Sequence, residues 1–209
     1  MPAEVEAKFR AASSDVLDAL AAAPTLGFTT LGPPRTSDEI DRYLDTADGR
    51  LARARWACRL RTRDGTVRVS LKGPAETSDG AWHHHRPEIE GPASPVADPD
   101  AWPPSEARDR LIELTDGGAL HGTFALRQRR TERAVIDQGR RVGTLSLDSV
   151  EVVGEPAATD PLLVVELELA DEHALDRSRF DELAAGLVAH GLEPDPRTKL
   201  EHALERLAS

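Results

Sequence analysis

Acidic side chains recur at alternate positions near both ends of this chain: Glu4 and Glu6 flank Val5, and Glu166 and Glu168 flank Leu167. A strand sends successive side chains to opposite faces, so Glu4, Glu6 and Lys8 share one face while Val5, Ala7 and Phe9 share the other. Paired oxygen ligands suit a hard divalent cation, and bases beside them suit the anion that such a cation carries. The spacing repeats with other residue types. Arg59, Arg61 and Arg63 share a face against Cys58, Leu60 and Thr62, and Arg68, Ser70 and Lys72 share one against Val67, Val69 and Leu71. Glu88 and Glu90 flank Ile89. Arg127 and Arg129 share a face with Leu126 on the other, and Ser146 and Asp148 face away from Leu145 and Leu147. Seven strands therefore carry a polar, mostly charged face and a largely apolar opposite face.

The elements that must position these residues are strands near 3–10, 56–63, 66–72, 83–90, 122–136, 142–153 and 162–170. Asp64-Gly65 and Gln138-Gly139 make turns between neighbouring strands. Helices are expected at 14–23 (stopped by Pro24), 105–115 and 173–190. Two capping-box patterns add more: Thr36-Ser37-Asp38-Glu39 opens a short helix before Tyr43, and Thr198-Lys199-Leu200-Glu201 opens the last helix. Ala47-Asp48-Gly49 is a turn. Residues 91–104 hold five prolines and read as an irregular connection. The charged alternation lies on both sides of that stretch, which favours one domain over 1–209 split by a long loop.

An ordinary sheet packs its apolar face inward and leaves its polar face in water. Here the amphipathic helices need an apolar surface to pack on, and both signs of charge recur on the polar faces. An inverted arrangement satisfies both requirements. The sheet curls or closes with its charged face lining a lumen, and helices cover part of its apolar exterior. Charges held in such a lumen need partners, and a phosphate chain carrying Mg²⁺ or Mn²⁺ supplies both signs.

The totals fit. At 209 residues, 39% hydrophobic and 30% charged, the chain suits a globular protein with a core. No apolar run is long enough to span a bilayer, and no secretory signal is visible. Cys58 is the one cysteine, a small apolar filler in keeping with a reducing cytoplasm. A formal net charge of −11 argues against duplex nucleic acid or an anionic membrane as a broad partner. Against that background, residues 53–72 hold seven bases and one acid, and residues 127–141 hold six bases and two acids. This distribution points to a local anion site within a repulsive surface.

In order along nearly the whole length, the chain carries Glu-x-Glu-x-Lys at 4–8, Tyr-x-Asp-Thr at 43–46, Leu-Arg-x-Arg at 60–63 after Arg59, and Leu-Lys-Gly at 71–73. Glu-x-Glu at 88–90, Arg-x-Arg at 127–129, Asp148, Glu-x-Glu at 166–168 and Lys199 follow. This ordered set resembles the CYTH superfamily, the triphosphate tunnel metalloenzymes. The resemblance implies an α+β fold, an eight-stranded antiparallel β-barrel forming a tunnel, that binds triphosphate-containing small molecules with Mg²⁺ or Mn²⁺. By position, it implies that Glu4, Glu6, Asp148, Glu166 and Glu168 are catalytic residues that hold the metal or its water. Lys8, Arg59, Arg61, Lys72, Arg127, Arg129 and Lys199 would hold phosphates, with Glu88 and Glu90 in the same lumen. The inward arginine pair is Arg59 with Arg61, or Arg61 with Arg63 if a bulge intervenes.

Three activities follow as expectations: hydrolysis of a triphosphate (inorganic triphosphate first, then thiamine or nucleoside triphosphates), cyclisation of ATP, and polyphosphate or nucleotide binding without turnover. A monomer or homodimer is expected. His83-His84-His85 alternates faces and is a poor metal site, and Trp56, Trp82 and Trp102 read as packing residues. The chain has neither a P-loop nor a dinucleotide-binding fingerprint.

Overall fold

The computed structural model describes residues 3–74, 76–77, 84–153, 160–171 and 173–208. Within them lie twelve strands and five α-helices. In chain order these are β1 (Ala3–Arg10), α1 (Ser14–Ala22), β2 (Thr25–Leu26), β3 (Thr29–Leu31), β4 (Arg35–Thr46), α2 (Arg50–Arg53), β5 (Ala57–Arg63), β6 (Thr66–Lys72) and β7 (Glu76–Thr77). Then come β8 (His84–Pro92), α3 (Glu106–Thr115), β9 (Leu120–Asp137), β10 (Arg140–Val152), β11 (Leu162–Leu169), α4 (Arg177–Ala189), β12 (Glu193–Pro194) and α5 (Lys199–Ala208). No described helix is long and apolar enough to cross a membrane.

All ladders are antiparallel, and the sheet runs β10-β11-β1-β8-β6-β5-β4-β9-β3-β2, with β9 also paired to β10. The plain eight-stranded barrel is therefore corrected: the sheet has twelve strands and its path does not simply close, but continues past β9 into β3 and β2. The reason lies in strand length. β9 has 18 residues and β4 has 12, so β9 outruns its neighbour and β3 takes Val135 and Ile136. The two expected turns form as read, with positive φ at Asp64 (49°), Gly65 (74°), Gln138 (48°) and Gly139 (78°), the backbone that two-residue hairpins require.

The two capping-box patterns part company. At α5 the pattern is realised: Glu201 Oε2 accepts from the Thr198 N–H (2.6 Å), and Thr198 Oγ1 accepts from the Glu201 N–H (3.1 Å). The short helix expected to open at 36–39 is instead the first part of β4. There Glu39 and Asp41 face the arginines of β5, and that pairing outweighs a local cap. The turn at 47–49 leads into α2, whose Leu51 and Ala52 N–H groups donate to the Asp45 carboxylate (2.9 and 3.1 Å).

The apolar faces point outward, beneath the helices. Leu17 and Leu20 of α1 and Phe180, Leu183 and Leu187 of α4 share a buried cluster with Ala7, Phe9, Leu145, Val165 and Leu167. Leu111 and Ala107 of α3 and Trp102 share another with Cys58, Leu60, Val69, Leu71 and Ile89. Arg133 locks α1 to this layer. Its buried guanidinium donates to the carbonyls of Leu20 (3.1 Å), Ala21 (3.0 Å), Ala23, Leu31 (3.0 Å) and Gly32 (2.8 Å), so it satisfies acceptors at the end of α1 and ties them to the end of β3.

Candidate active site

A third apolar cluster lies on the opposite side of the strands. Tyr43, Leu126, Val150, Val152, Leu162 and Val164 pack there against Ala203 of α5. Beside it the same strand faces turn polar and line a cavity of about 1180 Å³. Among the described residues, ten Lys or Arg and eight Asp or Glu side chains line this cavity, although the chain as a whole carries an acidic excess of eleven.

On one wall, β5 presents Arg59, Arg61 and Arg63, with β6 adding Arg68, Ser70 and Lys72. Lys72 pairs with Glu88 of β8 (3.2 Å), which also accepts from Ser70 Oγ (2.8 Å), and Arg68 reaches Glu90 (3.5 Å). On the other wall, Lys8 bonds Glu6 and lies 3.9 Å from Glu166, and Arg86 donates to Glu6 (3.0 Å). Arg130 forks onto Asp148 (2.8 and 2.7 Å) and reaches Glu166 (2.9 Å). Lys199, the first residue of α5, donates to Asp148 (2.6 Å) and Glu166 (2.8 Å).

These contacts set the charge states. Burial alone would raise the Asp148 carboxyl, but Arg130 and Lys199 outweigh it and hold the group below its ordinary range. Burial likewise opposes ionisation of Glu166, yet Lys199, Lys8 and Arg130 together hold its carboxyl well below normal. Lys8 goes the other way. Burial lowers its pKa, and the attraction of Glu6 does not fully restore it. Burial also pushes the Cys58 thiol up to about 12, which marks it as an unreactive part of the outer core.

Of the expected residues, Glu6, Lys8, Arg59, Arg61, Lys72, Glu88, Glu90, Asp148, Glu166, Glu168 and Lys199 lie on the polar inner faces. Glu6 and Glu168 are direct cross-strand partners, as are Lys8 and Glu166. β1 carries Glu4 opposite Arg86, but the Glu4 side chain lies outside the described residues, as do His83, Trp82 and the side chains of His84 and His85. No set of three His, Cys, Asp or Glu side chains able to hold a metal occurs among the described residues.

Arg127 and Arg129 require correction: both are exposed on the outer face of β9, with Arg127 3.7 Å from Glu151. The alternation along the strand is the expected one, but its two faces are exchanged. Leu126 points inward to the apolar cluster, so Gln128, Arg130 and Glu132 follow it inward. Arg130 is thus the residue that sequence reasoning missed on this strand. Glu39 and Asp41 were missed with β4, and Arg86 lay just beyond the motif at 88–90. A signal was present in the 39–41 pair, two acids at strand spacing before a run of alternate arginines.

No curated protein matches the sequence. Solved structures do match in fold. HpAC1 from Hippeastrum, an adenylyl cyclase candidate with a dominant triphosphatase activity, superposes with a TM-score of 0.72 at 23% identity, covering 97% of this chain and 95% of that one. An adenylate cyclase candidate from Bacillus halodurans gives 0.62 at 18%, covering 97% and 98%. The Mimivirus capping enzyme triphosphatase gives 0.55 at 10%, covering 90% and 89%. At these identities the likeness establishes the fold. The CYTH domain profile matches residues 2–185, which include the glutamates of β1 and β11 and the arginines of β5. With that match and the charged interior it spans, this chain belongs to the CYTH domain family.

Proposed function

We propose that this chain is a divalent-metal-dependent triphosphatase, working as one domain, that holds a linear triphosphate inside the charged cavity. One observation carries the reading. The cavity is rich in bases within an acidic chain, and the Arg59 Nε is buried with no acceptor among the described residues. A buried donor without a partner is costly, and a phosphate oxygen would complete it. Alternate residues of a strand are about 6.6 Å apart, so Arg59, Arg61 and Arg63 can meet successive groups of a phosphate chain. Support for a tunnel comes from β9, which carries one ladder to β4 and a second to β10 on its other edge.

A divalent cation fits this donor set. Mg²⁺ typically takes one or two carboxylates and completes its shell with water and substrate phosphates, so it does not need a three-acid cage. Glu6 and Glu168 face each other across neighbouring strands and supply that pair, with Glu4 two residues earlier on β1. When bound with substrate, Mg²⁺ or Mn²⁺ would offset phosphate charge and favour attack by water.

The protein's own groups do the rest. Lys8, Arg59, Arg61, Lys72, Arg130 and Lys199 hold phosphate oxygens and stabilise charge on the leaving phosphate. Glu166 and Glu168 reach the cavity and are placed to orient an attacking water, whereas Asp148 is fully buried and acts by holding Arg130 and Lys199. Inorganic triphosphate is the preferred substrate, because the cavity is lined by phosphate-binding groups and the chain is only 4% aromatic. The lone, buried cysteine suits work in a reducing cytoplasm.

The test is product analysis from inorganic triphosphate, ATP and thiamine triphosphate with Mg²⁺, Mn²⁺ or EDTA. Metal-dependent phosphate release from one of them is expected, fastest from inorganic triphosphate. Cyclic AMP and pyrophosphate from ATP, or tight binding with no product from any of the three, would overturn the reading.

A further inference from the structure

Behind the arginines of β5 lie two carboxylates that never reach the cavity. Asp41 and Glu39 of β4 are both 0% exposed, and neither lines the cavity that Arg59, Arg61 and Arg63 face. Asp41 Oδ1 accepts from Arg61 Nε (2.7 Å), and its Oδ2 accepts from Arg61 Nη2 (2.7 Å) and Arg59 Nη1 (3.3 Å). Glu39 takes Arg61 Nε at 3.1 Å and Arg63 Nη1 at 3.3 Å, and it also accepts from Gln128 and Ser37. The bonding is asymmetric. The carboxylates occupy one edge of the Arg61 fork, while Arg61 Nη1 and Arg59 Nε have no protein acceptor among the described residues.

From this asymmetry we infer that Asp41 and Glu39 are positioning residues: they turn the arginine row so that its open donors face a phosphate chain. The inference rests on the triphosphatase reading and extends it to groups that touch no substrate. An Arg side chain has several rotatable bonds, and holding it in advance spares that ordering when ligand arrives. A guanidinium forked onto a buried carboxylate keeps its plane and direction. Burial raises the Asp41 carboxyl, but Arg59 and Arg61 overcome this and hold it below its ordinary range, so the brace is charged at neutral pH.

Simple electrostatics and positioning predict opposite outcomes for one substitution. Asp41→Asn removes a negative charge next to the cavity. If Asp41 merely tempers the positive field, the variant binds triphosphate more tightly. If Asp41 orients Arg61, binding weakens despite the added net charge.

The experiment is calorimetric titration of inorganic triphosphate, in EDTA, into the wild type, Asp41→Asn, Arg61→Ala and the double variant, with thermal unfolding to show that each is folded. Asp41→Asn is expected to weaken binding about tenfold, with no further loss in the Arg61→Ala background, because interacting residues are not additive. Equal or tighter binding by Asp41→Asn, or full additivity with Arg61→Ala, would overturn the inference while leaving the triphosphatase reading intact. Should the wild type bind only with Mg²⁺ present, the same titrations are run with Mg²⁺ and the same outcomes apply; a wild type that binds no triphosphate under either condition would overturn the reading itself and the inference with it. Should Asp41→Asn not fold, Glu39→Gln is carried through the same titrations, with the same loss expected and unchanged affinity counting against the inference.

Discussion

Glu6 and Glu168 sit directly opposite each other on β1 and β11, two like charges paired in one antiparallel register. Facing carboxylates repel, a cost that the Lys8 and Arg86 bonds to Glu6 offset in part. Their proposed use as a cation-binding pair accounts for that cost. Glu168→Gln is therefore expected to cut metal-dependent phosphate release at least 100-fold while stability holds or rises by up to about 1 kcal/mol. Steady-state rates at saturating Mg²⁺ with urea unfolding check this, and a near-normal rate would remove Glu168 from the site.

Arg130 and Arg127 separate the two faces of β9. Arg130 lies between buried Asp148 and half-buried Glu166, so Arg130→Ala leaves Lys199 as the base still bonded to both carboxylates and is expected to cost about 3 kcal/mol. Arg127 is exposed and is expected to tolerate Ala within about 0.5 kcal/mol, with triphosphate affinity unchanged. Denaturation midpoints and triphosphate titration of the two variants test the assignment. Weakened binding in Arg127→Ala would return that residue to the phosphate site.

The depressed carboxyls give the acid side of stability a definite sign. Asp148 and Glu166 have folded-state pKa values below their unfolded ones. Their contribution is fully present above the unfolded values, about 3.9 and 4.3. It is lost progressively as pH falls below those values toward the folded ones. Urea midpoints should therefore be insensitive to these two groups from neutrality to about pH 5 and fall below it. Lys199→Met should flatten the fall, because one of the bases that depress both groups is gone. An acid limb of unchanged steepness in that variant would show that Lys199 is not coupled to them.

Arg133 predicts an effect remote from the cavity. Its guanidinium donates to carbonyls at the end of α1 and at residues 31 and 32, and to no acid among the described residues. Arg133→Met is expected to destabilise the fold by about 3 kcal/mol, since hydrogen bonds from charged donors are among the stronger ones. The apparent affinity for triphosphate should not change. Chemical denaturation and calorimetry on the same variant separate these two readouts.

The sequence disclosed the inner faces where an apolar outer face gave contrast. In β5, Arg59 and Arg61 alternate with Cys58 and Leu60, and in β11, Glu166 and Glu168 alternate with Val165 and Leu167. β4 offered no such contrast. Charged residues stand on both its faces, Asp38 and Arg42 outward and Glu39 and Asp41 inward, so only the cap-like Thr36–Glu39 pattern stood out. In β9, bases occupy both parities at 127, 129, 130 and 133, and the face was decided by Leu126, which enters the interior cluster. The short β2, β3, β7 and β12 contain two or three residues each, too few to show a period.

The placement of apolar groups outside and charges inside has a consequence for how such a protein diverges. Residues that hold the fold together lie between the sheet and its helices, whereas residues that meet a ligand lie on the other side of the same strands. The interior can therefore be rewritten without disturbing the packing layer, but not one residue at a time. Asp148 with Arg130 and Lys199, or Asp41 with Arg61, are bound to each other as tightly as to any guest. A single change leaves a partner stranded, so new specificity in this interior is expected to arise through compensating pairs, with drift along the lineage recorded as exchanges of charge and not as losses of it.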